Sequence, residues 1–545
     1  MKEGFRQSMA WLHTWLGLIV GWILFYVYLT GTLGYLDKEI DYWMTPDKPF
    51  FAATPTTREQ IALAQERLTE VATQAAAWNI QLIGGREAHS LDISWTLLPD
   101  ANGARGATLT ETLSPETGEP IDNSARATGG GQLLYKMHYN LAYMPLTLAN
   151  VLIMICSVIM FAGMITGIIA HKKIFKDFFT FRPSKGQRSW LDGHNLLSVG
   201  SLPFHLIVTY SGLLFFVYQF MPAVPHLLYD AAPGKTVASQ LYQGTYGVPG
   251  ATFDGPAGIQ APLTAIPALM DEVDRLWGAD KVTAVEIRNP GDSNARVIFK
   301  PLPSETIAFP DYSMIFNGVS GELVDNYPGP YIYPAGYADQ TLKGLHKGLF
   351  AGPLLRILYL FMGVAGTAMI GTGLLLWSNK RKAKLIASNT QPHFGIALVD
   401  CLNLGTIIGL SIAIAAYFWA NRLLPATMEG RAEWEVHAMY LTWAATLLYP
   451  VWRPLGKAWV ELLWLCAAMY CLLPLVNALT TQRHLGNSLM QGDWIMAGFD
   501  LTSLASGLVF AIFAVRMQRK AGATEVVLEK NRRSVEENVE ELATS

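Results

Sequence analysis

Apolar residues gather into eight runs, near residues 11–35, 145–170, 194–220, 353–377, 396–420, 434–452, 458–479 and 495–516. About twenty apolar residues in helical form cross the hydrocarbon core of a bilayer, so each run predicts a transmembrane helix. Two long polar segments, 36–144 and 221–352, interrupt the series. Each begins with a polar helical pattern (58–78 and 263–277) and continues in alternating, strand-like stretches such as 91–97 and 282–287. Each then reaches a matching turn, Thr117-Gly118-Glu119-Pro120-Ile121-Asp122 in the first and Ser320-Gly321-Glu322-Leu323-Val324-Asp325 in the second, with glycine supplying the turn. The expected fold is an all-α membrane bundle of about eight transmembrane helices with two small α+β domains outside it.

Composition agrees: 51% of the 545 residues are hydrophobic and 15% charged, a balance far from that of soluble enzymes and of nucleic-acid-binding proteins. The charge distribution orients the chain, because basic residues near span ends stay on the cytoplasmic side. Lys172, Lys173, Lys176, Arg182, Lys185 and Arg188 follow the second span, and Lys380, Arg381, Lys382 and Lys384 the fourth. Arg453 and Lys457 follow the sixth, and Arg516, Arg519 and Lys520 the eighth. Loops 171–193 and 378–395 and the tail 517–545 are therefore expected inside, with both termini, and the two polar segments outside a bacterial inner membrane. The apolar run within residues 1–35 is too long for a signal peptide and reads as a retained first helix. Cys156, Cys401, Cys466 and Cys471 all fall in apolar runs and read as core residues.

The chemistry lies in histidines that repeat with the helices. His13 precedes Gly31 of Thr30-Gly31 by eighteen positions, and His194 precedes Gly212 of Ser211-Gly212 by the same eighteen. His138 stands seven before Pro145 and His346 seven before Pro353, ahead of spans that end in Thr166-Gly167 and Thr372-Gly373. A unit of helix, external domain and helix thus occurs twice. Ionisable groups in spans are costly and mark cofactors, ion paths or proton relays. A twofold repeat would set His13 against His194 near the inner face and His138 against His346 near the outer face. Each pair could then give both axial nitrogens to one haem, with the small residues admitting a flat macrocycle or close helix packing. His205, eleven residues beyond His194, could replace His346 or His138 at the outer level, and His171 could compete at the inner one. His89, His226, His393, His437 and His484 read as structural. Glu119, Asp122, Glu322 and Asp325 could meet Fe³⁺ as hard oxygen ligands, although solvated surface is the ordinary role of such groups.

Several stretches together resemble the PepSY-associated transmembrane family: Leu12-His13-Thr14-Trp15-Leu16-Gly17, Met137-His138-Tyr139, the run from His171 to Pro183, Asp192-Gly193-His194-Asn195, Leu202-Pro203-Phe204-His205 and Leu345-His346-Lys347-Gly348-Leu349-Phe350. The resemblance covers about residues 5–380. It implies PepSY-like external domains, two b-type haems and a role in bacterial iron uptake as an inner-membrane ferric-siderophore reductase. The four helices of 396–516 exceed the pattern of the shortest relatives.

Soluble-enzyme signatures such as Gly-x-Gly-x-x-Gly after a strand, a phosphate loop, His-Glu-x-x-His or Gly-x-Ser-x-Gly are absent from the sequence. The electrons are therefore expected from a separate cytoplasmic donor or a membrane quinol, and the acceptor is a ferric siderophore or another ferric chelate. The competing reading is a non-enzymatic membrane module whose external domains bind a peptide or protein partner; it leaves the histidine spacing unexplained. A permease would call for broken helices or charged groups at mid-span, and few are evident.

Overall fold

The computed structural model of the protein describes every residue except 1–3, 52–53, 85, 87, 100–105, 122–125, 172–173, 179, 183–185, 218–239, 241–254, 304–306, 309–312, 328–333, 392 and 545, and beyond Lys520 it describes backbone only. His226, Asp122 and the last residues of the expected third span lie outside the described residues.

The first repeat runs α1 (Phe5–Gly34), α2 (Asp37–Met44), α3 (Thr57–Val71), β1 (Ala75–Gln81), β2 (Leu91–Leu97), β3 (Thr108–Leu113), β4 (Pro120–Ile121), α4 (Gly130–Met137) and α5 (Leu146–Ala170). A short α6 (Ile174–Phe178) leads to the second: α7 (Gln187–Gly200), α8 (Leu202–Leu214), α9 (Ile266–Trp277), β5 (Val282–Arg288), β6 (Arg296–Pro301), β7 (Ser313–Asn317), β8 (Leu323–Tyr327), α10 (Pro334–Lys347) and α11 (Pro353–Ala387). Then follow α12 (Phe394–Leu423), which contains a π-helical stretch Gly405–Gly409, α13 (Arg431–Trp452), α14 (Leu455–Thr480), α15 (Leu485–Gln491) and α16 (Trp494–Thr544).

Among the described residues, six helices are long and apolar enough to cross a membrane: α1, α5, α11, α12, α14 and the Trp494–Lys520 part of α16. The expected third span is not one straight helix. It is the pair α7 and α8, which passes the same test jointly but bends by 65°. The bend falls where Pro203 enters the first turn of α8; proline suits that position and cannot continue the preceding helix. The expected sixth span, α13, is not among the six: Arg431, Glu433 and Glu435 stand in its first turns, and the rest of the helix is diluted by residues such as His437, Tyr440, Tyr449 and Pro450.

The two polar segments do not make two sheets. Their strands join into one antiparallel sheet of eight, ordered β4-β3-β2-β1-β5-β6-β7-β8. The join is β1 against β5, with Trp78 opposite Ile287 and Asn79 opposite Glu286. Each half alone would leave its first strand as an unpaired edge, which is a liability for aggregation; pairing the two halves removes both edges at once. Helices α3 and α9 cover one face, and their side chains Ile61, Leu68, Met270 and Val273 share a core with Trp78, Ile80, Ile287 and Phe299. Gln65 of α3 ties the two helices by bonding the Thr264 carbonyl and the Ile266 amide. The duplicated turns match in detail: Gly118 and Gly321 have φ of 75° and 76°. The Ser114 amide bonds the Glu119 carbonyl at 2.8 Å, and the Asn317 amide bonds the Glu322 carbonyl at 2.9 Å.

The last four long helices grip the first repeat through a buried polar network. Arg422 of α12 stacks on the Trp43 ring at 3.5 Å, donates to the Trp43 carbonyl and donates to Asn477 of α14 at 2.7 Å. Trp43 Nε1 in turn donates to Asp500 of α16 at 2.9 Å. Arg431 and Glu435 form a fully buried ion pair at 2.5 Å, and Glu435 accepts from Thr128 Oγ1 at 2.6 Å. Tyr417 Oη donates to the Gly130 carbonyl at 2.9 Å, so these helices brace the start of α4.

Directly opposed antiparallel residues have Cα atoms about 4.5–5.5 Å apart, within disulfide reach. The double variant Asn79→Cys, Glu286→Cys is therefore expected to form an intrachain disulfide under mild oxidation, read as a shift in non-reducing gel mobility that dithiothreitol reverses. Two separately folded sheets would give no such bond.

Candidate functional site

The helical repeat brings four histidines together as two facing pairs. His13 of α1 faces His194 of α7, with ring centres 6.4 Å apart. His138, just past the end of α4, faces His346 near the end of α10, with centres 5.8 Å apart. The first pair lies at the end of the bundle marked by Lys380, Arg381 and Lys384, and the second at the end nearest the sheet, beside Arg86. Along α1, eighteen residues separate His13 from Gly31, the residue beside His138; at 1.5 Å per residue that is about 27 Å.

Each imidazole is held in the same way. His13 lies on Gly167, His138 on Gly31, His194 on Gly373 and His346 on Gly212. A Cβ at Gly31 would come within 2.4 Å of His138 Nδ1, and one at Gly167 within 3.0 Å of His13 Cε1. In every case Nδ1 bonds the carbonyl four residues before that glycine: His13 to Gly163 at 2.8 Å, His138 to Val27 at 2.8 Å, His194 to Met369 at 2.9 Å and His346 to Val208 at 2.9 Å. A carbonyl only accepts, so Nδ1 carries the proton and Nε2 keeps its lone pair. Among the described residues, none of the four Nε2 atoms makes a hydrogen bond. This is the arrangement of a ligating histidine, whose second nitrogen is fixed by a backbone carbonyl. Burial, reinforced by the nearby His138, holds the His346 imidazole down at about 3. Burial also lowers His138, so both rings of the outer pair remain neutral at physiological pH.

A cavity of about 990 Å³ surrounds the inner pair, and Trp15, Trp377, Arg188 and Lys384 lie on its wall. Arg381 stands 5.6 Å from the Trp15 ring and 5.3 Å from the Trp377 ring at its mouth. The outer pair lines a narrower space of about 210 Å³, walled by Tyr28, Tyr35, Tyr135 and Phe204 with Lys38 and Lys347 at its edge. No three His, Cys, Asp or Glu side chains converge as a metal cluster among the described residues. Two imidazoles per level is the ligand count of an axially bound macrocycle rather than of a bare zinc ion.

The remaining sequence candidates fall elsewhere. His205 does not join the outer pair; it is buried in the wall of the inner cavity. His171 ends α5, lies on the same cavity and contacts Asn195 through Nε2 at 3.4 Å. Glu119 and Glu322 are exposed in turns at opposite edges of the sheet, so they do not converge on one ion, and Asp325 is half-buried. His437, read as structural, bonds Tyr143 Oη at 2.5 Å. The Nδ1 acceptors could not be found from residue types, because they are backbone carbonyls; the repeated glycines were their only trace.

Residues 10–380 match the family described as the PepSY-associated TM region. The chain belongs to this family. The PepSY-associated match ends within α11, so it takes in both histidine pairs and the whole eight-stranded sheet, and leaves the last helices outside. An uncharacterized protein of Pseudomonas aeruginosa is 26% identical over 383 residues, 66% of this chain and 88% of that relative.

Because a methyl group at Gly31 would collide with His138, Gly31→Ala should destabilise the detergent-solubilised protein by about 1–3 kcal/mol. Gly17→Ala on the same helix, where a Cβ meets nothing within 4 Å, should be neutral or slightly stabilising. Thermal melts of the two variants followed by tryptophan fluorescence check the contrast.

Proposed function

We propose that this protein is a di-haem electron carrier of the bacterial inner membrane that reduces ferric iron, presented as a siderophore or similar chelate, on the side of the eight-stranded sheet. The observation that carries this reading is the fourfold repetition of one histidine geometry: a glycine seat, an Nδ1–H bond to the carbonyl four residues earlier, and an opposing imidazole with ring centres about 6 Å away. A metal–imidazole bond of about 2 Å on each side, with the ring radii added, needs ring centres roughly 6 Å apart; the observed 6.4 and 5.8 Å agree with this.

His13 and His194 would hold one b-type haem and His138 and His346 the other. Haem supplies one-electron redox chemistry when bound; the chain supplies ligands, orientation and shielding from water. Arg188, Lys380, Arg381 and Lys384 at the inner mouth, and Lys38 and Lys347 at the outer one, offer counter-charges for carboxylate groups. The inner cavity has the room of a cofactor site. The outer one is tighter and would require Tyr28, Tyr35 or Phe204 to give way.

The basic residues that flank the inner pair favour a cytoplasmic location for that end, and hence both termini inside and the sheet in the periplasm. The bent pair α7 and α8 then makes one crossing. The charged first turns of α13, paired internally as Arg431 with Glu435, let it serve as the eighth. A quinol or a cytoplasmic reductant would be the donor.

Purified protein should bind about two haems per chain, seen as a reduced-minus-oxidised spectrum with sharp α and β bands and counted by pyridine haemochrome. His13→Ala or His194→Ala should remove one of them, and His138→Ala or His346→Ala the other, with loss of ferric-siderophore reduction in all four. A well-folded preparation without any haem band would reject the reading and favour a binding module.

A further inference from the structure

The sheet reaches the outer histidine pair through one side chain. Arg86 stands in the loop between β1 and β2, and it lines the outer space together with Asp37, His138 and His346. Its guanidinium donates to Asp37 at 2.5 Å, to both Glu39 oxygens at 3.3 Å and to the Tyr35 carbonyl at 2.8 Å. Only 12% of the Arg86 side chain and 11% of that of Asp37 remain exposed, and removing one partner of such a pair leaves the other as an uncompensated charge. Glu39 has a second cation in Arg356 of α11 at 2.5 Å. Asp37 pairs with Arg86 alone among the described residues.

Both arms of the outer pair are tied to this contact. Asp37 accepts from Gln132 Nε2 of α4 at 2.8 Å, and α4 ends at His138. The packing there is close: a Cβ at Gly131 would fall 2.0 Å from the Asp37 carbonyl oxygen. On the other side Tyr35, whose carbonyl Arg86 holds, donates through Oη to the His346 carbonyl at 3.1 Å. Tyr359 meets the Tyr35 ring edge-on and donates to the neighbouring Leu345 carbonyl at 2.9 Å. One guanidinium of the sheet thus joins the end of α1, α2, α4 and α10. The duplication offers no second copy of it. The loop between β5 and β6, residues 289–295, contains no arginine or lysine, and its Asp292 instead accepts from the amides of Ala257, Gly258 and Asn294.

We propose that Arg86 is a positioning residue for the outer site: it holds the helices that carry His138 and His346 and neutralises the Asp37 carboxylate in the wall of that space, so that the sheet sets the potential of the group bound there. The inference rests on the di-haem reading above. Losing the guanidinium adds one net negative charge beside a one-electron centre, which favours its oxidised, more positive state. Losing the carboxylate adds one net positive charge and favours the reduced state. The two halves of the pair therefore act with opposite sign, whereas simple support of the fold would make both losses act alike.

The test is a spectroscopic redox titration of the full-length protein, of Arg86→Gln, of Asp37→Asn and of the double variant, with the outer haem assigned as the one lost in His138→Ala. In Arg86→Gln the reduced-to-oxidised ratio of the outer haem at fixed ambient potential should fall about three- to tenfold, and in Asp37→Asn it should rise by about the same factor. The double variant should return close to wild type, and the inner haem should not move in any of the three. Unchanged titrations, shifts of the same sign in both single variants, or equal shifts of both haems would overturn the inference. If Arg86→Gln fails to fold or loses the outer haem, Asp37→Asn decides alone: a rise supports the inference, and a fall or no change overturns it. Wild-type protein without haem would defeat the di-haem reading itself, and this inference with it.

Discussion

The structure turns on a hydrogen bond made four times: an imidazole Nδ1–H donated to a helical carbonyl beside a glycine. An imidazole in a bilayer is tolerated only when its polar atoms are satisfied, and a helix offers no spare acceptor except a carbonyl approached from the side. Glycine four residues later in the helix leaves the gap through which that approach is made. Once Nδ1 is fixed, ring orientation and tautomer follow, and Nε2 is free to act as a ligand. The helix spacing, the small residues and the pairing of the two repeats all serve this contact.

Duplication supplies the second half of each site. One repeat alone would present one imidazole at each level; two related by an approximate twofold present opposing pairs. The same relation fuses the sheets through β1 and β5, so the soluble part fixes how the repeats sit and the membrane part exploits it. The helices after residue 393 add a brace. Arg422 stacked on Trp43, and Tyr417 bonded to the Gly130 carbonyl, hold α2 and the start of α4, and α4 ends beside His138. Arg431 is ion-paired with Glu435, and Arg422 donates to Asn477, Asn421 and the Trp43 carbonyl; a charge kept in an apolar interior needs partners of this kind.

Much of this was legible in the chain. The hydropathy runs marked most of the long helices, and the spacing of His13 to Gly31 and His194 to Gly212 exposed the repeat. Which glycine receives which histidine was not legible. His13 reaches Gly167 rather than its own helix's Gly31, because the contact is made between neighbouring helices and leaves no periodicity in either. The single sheet was equally hidden, since edge pairing between strands two hundred residues apart has no local signal. The break before Pro203 was masked by apolar residues on both sides. The contact of Arg422 with Trp43, 379 residues away in the chain, likewise leaves no local signal.

On the di-haem reading, each bound iron would have two imidazole nitrogens as its axial ligands. Low-temperature electron paramagnetic resonance of the oxidised, full-length protein tests this without reference to substrate or donor. Two low-spin ferric signals, one per histidine pair, are expected. A dominant high-spin signal, which reports a five-coordinate or water-ligated iron, would contradict the paired-imidazole account.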